Sequence, residues 1–112
     1  MTSLADWLRA CLDDDEACAA AASPGPWRPN AERDEVLAVD DITVCDGFAL
    51  SGRQLRATVE HIARHDPARV LVEVAAKRRI VDDAPHATLR LLALPYTDRA
   101  GYREEWAPAA PD

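Results

Sequence analysis

"EVLAVDDITVCDG", residues 35–47, decides the fold class of this chain. Val36, Leu37 and Val39 precede the Asp40-Asp41 pair, and Ile42, Thr43 and Val44 follow it. Aliphatic and β-branched residues on both sides of a short polar break predict a β-hairpin. Asp-Asp is a weaker turn signal than Asn-Gly, so the spacing alone leaves the loop type open. A short strand near Trp27–Pro29 can add a third member. A lone hairpin is marginal in water and must pack against a helix, so the flanking sequence has to supply one.

It does so on both sides. Upstream, "TSLADWLRACLDDDEACAAAAS" (residues 2–23) carries Leu4, Trp7, Leu8, Cys11, Leu12, Cys18 and Ala22 at three- and four-residue steps, the mark of one helical face. Ser3 followed three residues later by Asp6 resembles a capping box with Asp in place of Glu. Cys11 and Cys18 read as core cysteines on that face, and Asp15 interrupts it. "SPGPW" (23–27) then stops the helix, because two prolines around a glycine cannot continue it. Downstream, a second helix is expected in "DGFALSGRQLRATVEHIARH" (46–65), with Ser51 as cap and Leu55, Val59, Ile62 and Ala63 as its buried stripe.

Asp66-Pro67 predicts the start of a third helix, with Asp at the N-cap and Pro at the first helical position. Loss of that cap alone is expected to cost about 1 kcal/mol. The helix runs through "PARVLVEVAAKRRIVDD" (67–83), and its apolar residues spread over more than a narrow stripe. Pro85 closes it, "HATLRLLAL" (86–94) forms a short fourth helix ended by Pro95, and "AGYREEW" (100–106) gives one or two last turns. The whole predicts one α+β domain over residues 1–106: about four helices, with a hairpin of two or three strands between the first and second. A flexible tail is expected over residues 107–112.

Charge is unevenly placed in this chain of 112 residues with a formal net charge of −7. Residues 1–50 carry eleven acidic and three basic side chains, and the remainder nine and ten, so the acidic surplus sits in the first half. Three cysteines form neither a CxxC motif nor an even disulfide framework, which predicts reduced thiols and a cytoplasmic protein. No stretch reaches the roughly 20 apolar residues of a spanning helix, and no membrane role is expected.

"SPGPW", the hairpin, "HIARHDPARVLVEVAAKRRIVD" (61–82), "LRLLALPY" (89–96) and "YREEW" (102–106) together resemble a small family of actinobacterial and actinophage proteins of unknown function. The resemblance runs from the first helix to Trp106. It implies a cytoplasmic accessory protein, often associated with phage or prophage, with no assigned activity.

The chemistry-bearing residues add little to that. His61 and His65, four apart on one helix, could face a metal, with His86, Cys45 or Glu60 as a third ligand, but no spacing demands it. The competing reading places both imidazoles in a helix's last turn, near the negative pole of its dipole. "KRR" at 77–79 is contiguous and fans around a helix instead of forming a stripe, although Arg64, Arg69 and Arg90 could join it in a patch. With the net acidity and the missing recognition motif, direct nucleic-acid binding is not expected. Ser51 sits in "LSGR", not in GxSxG, and no glycine-rich phosphate loop is present. No catalytic, cofactor-binding or metal residues are assigned and no cofactor is expected.

The sequence therefore points to a non-enzymatic interaction or regulatory protein acting through a host or phage protein. The alternative is an acidic mimic of DNA that occupies a host protein's nucleic-acid cleft, with carboxylates of the first helix and hairpin as phosphate substitutes. A weaker alternative is a metal-binding protein through His61 and His65. A homodimer is expected through the third helix, with Trp7 and Leu8 of the first as the other contact.

Overall fold

The computed structural model describes residues 2–109. Its elements run α1 (Leu4–Ala21), β1 (Arg28–Pro29), β2 (Glu35–Leu37), β3 (Thr43–Asp46), α2 (Gly52–Arg64), α3 (Pro67–Asp83) and α4 (His86–Leu92), with 3-10 turns at Leu94–Tyr96 and Glu104–Trp106. This is the α+β order read from the sequence. The three strands form one antiparallel sheet in the order β1-β2-β3, between α1 and α2. The tail expected at 107–112 falls in part outside the described residues, which end at 109. Its start is held, because Arg90 donates from Nε to the Trp106 carbonyl at 3.0 Å and from a second guanidinium nitrogen to that of Ala107.

The chain clusters into two compact units, Met1–Asp15 with Val74–Asp112, and Glu16–Glu73. In the second unit the hairpin closes through a three-residue loop. The Asp41 N–H donates to the Ala38 carbonyl, the Ala38 N–H donates to that of Ile42, and Asp41 sits at φ 67°. A turn followed by a left-handed residue is the common three-residue hairpin solution, and Asp tolerates that conformation better than most residues. The register shifts between Val36 and Leu37, so one residue is left over in the β2-β3 ladder. Helix α2 is strongly amphipathic. Its inner side brings Val59 and Ala63 onto Val36, with Trp27, Val44, Cys45, Leu55 and Ile62 around them.

The joint between α2 and α3 is the helix–cap–helix predicted from Asp66-Pro67, with a second function added. Asp66 Oδ1 accepts the Arg69 N–H at 2.8 Å, an N-cap bond to the third helical residue. Oδ2 accepts the Trp27 N–H at 2.8 Å, so the same carboxylate fixes the "SPGPW" loop. Asp66 is the one buried charged residue among those described. Ser51 stands at the N-cap of α2, but its side chain makes no capping bond. Ser3 does cap α1: its Oγ accepts the Asp6 N–H at 3.1 Å.

In the other unit Leu4, Trp7, Leu8, Cys11 and Leu12 of α1 are buried, as the periodicity requires. Trp7 packs among Tyr96, Tyr102 and Trp106, with ring centroids 6.5, 5.6 and 5.4 Å away. Its Nε1 donates to the Ala100 carbonyl at 3.0 Å. This burial corrects one expectation, since Trp7 and Leu8 are core residues of their own chain and offer nothing to a second copy. Val72 of α3, in contrast, is 71 % exposed.

A second correction concerns Cys18, which is exposed while Ala19 beside it is buried. Helical spacing gives the direction of a side chain, not how far the covering surface extends. Alkylation followed by mass spectrometry should therefore modify Cys18 first. Burial pushes the thiols of Cys11 and Cys45 up and keeps them protonated and slow. Equal rates at all three would contradict this packing.

Candidate functional site: an arginine-lined groove on α2

The outer side of α2 is as polar as its inner side is apolar. Arg53, Arg56, Ala57, Glu60, His61 and Arg64 recur at helical steps and line an open groove of about 640 Å³. Arg33, His65 and Arg69 complete its walls. Five arginines and two histidines thus meet around one carboxylate, in a chain that is acidic overall.

Local structure positions each of these groups. Arg33 lies in the β1–β2 loop, where Asn30 Oδ1 accepts the N–H groups of Asp34 and Glu35 at 3.0 and 2.9 Å. The Arg33 N–H donates to the Asn30 carbonyl at 3.1 Å, and Arg33 adopts φ 61°. That left-handed conformation costs an L-residue with a long side chain about 1–2 kcal/mol, and glycine far less. Arg64 is tied by its Nε to Glu60 at 3.0 Å, and Arg69 by its Nε to Glu73 at 2.8 Å. Arg69 also donates to the Arg64 carbonyl at 3.2 Å, stitching the end of α2 to the start of α3. Among the described residues the guanidinium groups of Arg33, Arg53 and Arg56 have no hydrogen-bond or ion-pair partner.

The histidines behave as a helix end. Their rings lie 4.4 Å apart between centroids, tilted by 41°, and His65 Nδ1 lies 2.7 Å from the His61 carbonyl. A carbonyl only accepts, so Nδ1 is the donor in this contact. Among the described residues no group of three or more His, Cys, Asp or Glu side chains is placed to hold a metal ion. His86 belongs to α4 in the other unit, and Cys45 packs in the core of α2 and the sheet.

The basic patch is thus real, but it is not the one the sequence suggested. Arg64 and Arg69 join it. Lys77, Arg78, Arg79 and Arg90 lie in the other unit, where Arg78 pairs with Asp13 at 2.7 Å and Arg90 binds backbone carbonyls. Arg33, Arg53 and Arg56 complete the patch, and Arg53, Arg56 and Arg64 at helical steps opposite an apolar stripe are the part of it that the sequence signals.

The acidic run "DDDE" is also engaged. Asp14 and Asp15 pair with Arg99 at 3.3 and 2.6 Å, and the Tyr96 hydroxyl donates to Asp15 at 2.6 Å. Burial, together with that carboxylate, holds the phenol proton of Tyr96 well above the ordinary tyrosine range. Asp15 therefore interrupts the apolar face of α1 because Tyr96 and Arg99 meet it there.

Fold and groove define a small α+β protein with a cationic concave face on an amphipathic helix. The chain belongs to DUF6221, a family of unknown function, whose match covers residues 1–108. No curated protein and no solved structure matches it. Among the described residues no helix is long and apolar enough to cross a membrane.

Proposed function

We propose that this protein is a non-enzymatic interaction module that acts by binding a protein partner, and that the arginine groove of α2 is its contact face. The observation that carries the reading is the group of three guanidinium side chains in the groove, Arg33, Arg53 and Arg56, that have no hydrogen-bond or ion-pair partner among the described residues. An acidic chain gains nothing in solubility from concentrating arginines, and arginine is the basic residue most enriched at interfaces. The sequence resemblance adds the setting, a cytoplasmic accessory protein of phage type.

The DNA-mimic alternative draws less support. A mimic needs free carboxylates at phosphate-like spacing, and Asp13, Asp14 and Asp15 are already engaged by Arg78 and Arg99. On the hairpin, Asp41 pairs with Arg28.

Cross-linked capture from host lysate at low and high salt tests the proposal, with wild type and an Arg53→Glu/Arg56→Glu variant side by side. A salt-sensitive protein partner taken by wild type and lost from the folded variant is the expected result. Capture of the same partner in equal amount by both would remove the groove from the proposal.

A further inference from the structure

We infer that the ligand of the groove is a short acidic segment of a protein, presenting carboxylates to Arg33, Arg53 and Arg56, the last two about 4.5 Å apart along α2 at 1.5 Å per residue. The inference rests on the groove being the contact face and names the chemistry it recognises.

Three features of the groove select for such a segment. The first is the number and placement of its open donors. Arg64 and Arg69 are held by Glu60 and Glu73, whereas Arg33, Arg53 and Arg56 are available, one on the β1–β2 loop and two on α2. Each presents a planar fork that a carboxylate fits with two parallel hydrogen bonds. The second is Glu60, a carboxylate in the groove itself. Glu60 is paired with Arg64, so a phosphate chain, charged at every step, meets no open guanidinium there, while a peptide can set an N–H or a neutral side chain opposite it. Ala57, next to Glu60 on the same wall, leaves room for a backbone to approach.

The third feature is what lies around the site. No Phe, Tyr or Trp lines the groove, and its only rings are the small imidazoles of His61 and His65, a weaker platform for bases than the large aromatics of single-strand binders. Asp34, Asp40 and Asp46 are exposed on the sheet and loops of the same unit, in a chain of net charge −7. A long polyanion leaving the groove meets that field, and a short acidic segment ends before it. Arg33 supplies an independent sign of selection. Its strained backbone is what glycine would relieve, and strain of this kind is characteristic of binding sites.

Fluorescence anisotropy on the whole protein provides the test. The probes are a labelled peptide of about twelve residues with glutamates at three- and four-residue steps and a single-stranded oligonucleotide of similar length. The peptide is expected to bind saturably and more tightly than the oligonucleotide. Arg53→Glu/Arg56→Glu should weaken it by more than about tenfold, the equivalent of 1.4 kcal/mol. Arg79→Glu, a charge reversal in the other unit, should leave it unchanged. Arg33→Gly should weaken the peptide several-fold without lowering the thermal midpoint, a result that a merely structural role could not give.

Tighter binding of the oligonucleotide overturns the inference, and so does a peptide affinity that responds equally to the Arg53/Arg56 and Arg79 variants. If the peptide does not bind while capture of a protein partner still depends on the groove, the acidic-segment inference alone fails. If capture is independent of the groove, both fail.

Discussion

Asp66→Ala should lower stability by about 2–4 kcal/mol, well above the roughly 1 kcal/mol of an ordinary N-cap. The cap bond to Arg69 is only half of what the carboxylate does. Its other oxygen holds the Trp27 N–H, and removing it strands a part-buried donor in a loop with two prolines. An unsatisfied buried N–H costs about 1–3 kcal/mol by itself. Asp66→Asn discriminates the two contributions, since its single carbonyl oxygen can serve one N–H while its amide faces the other donor. The expected order is wild type, then Asn, then Ala, read from urea midpoints followed by circular dichroism. A loss of 1 kcal/mol or less for Ala would show that the Trp27 contact contributes nothing. Gly25→Ala perturbs the same joint from the loop side: a Cβ there would stand 2.7 Å from Asp66 Oδ2 and 2.9 Å from the Ala68 Cβ.

That joint shows what the sequence could and could not reveal. Asp-Pro after a helical stripe names a cap because the rule is local, spanning three residues. The bond to Trp27 joins positions 39 apart and leaves no local trace. The hairpin was legible for the same reason as the cap: aliphatic runs on either side of Asp40-Asp41 reflect a pleated, half-buried surface. Its third strand was legible only as an option, since two residues at Arg28–Pro29 carry almost no pattern.

The groove was harder. Contiguous bases such as Lys77, Arg78 and Arg79 attract notice, yet neighbours on a helix point about 100° apart and cannot share a face. The site instead uses Arg53, Arg56 and Arg64, separated on one helix, with Arg33 and Arg69 brought in by a turn and a cap. Only the α2 component has a sequence signal. Arg33 depends on a left-handed turn held by the Asn30 side chain, a conformation for which arginine is an unfavourable residue. Cys18 failed in the opposite way, since its spacing was right and its cover absent.

Trp7→Ala is expected to have the largest effect in the molecule, about 3–5 kcal/mol. Globular domains are stable by only about 5–15 kcal/mol, and small ones lie toward the low end, so the variant should be close to unfolding at room temperature. Three aromatic rings, Tyr96, Tyr102 and Trp106, would lose their common neighbour, and the gap left is too large for short 3-10 turns to fill. Close packing on the far edge makes the site intolerant in the other direction as well. Gly101 sits at φ 89°, and a Cβ on it would reach 2.9 Å from Trp7 Nε1. Trp7→Phe retains much of the ring contact and forfeits the bond to Ala100, so it should cost about 1–2 kcal/mol, between wild type and Ala. Because Trp7 and Trp106 touch, Trp7→Ala/Trp106→Ala should be less destabilising than the sum of its parts, a coupling expected of side chains in contact. Denaturant titrations monitored by far-ultraviolet circular dichroism, which do not depend on the tryptophans removed, measure all five proteins: wild type, Trp7→Ala, Trp7→Phe, Trp106→Ala and the double variant. A Trp7→Ala midpoint within about 1 kcal/mol of wild type would mean that the aromatic cluster is ornamental and that α1 is held by its leucines alone.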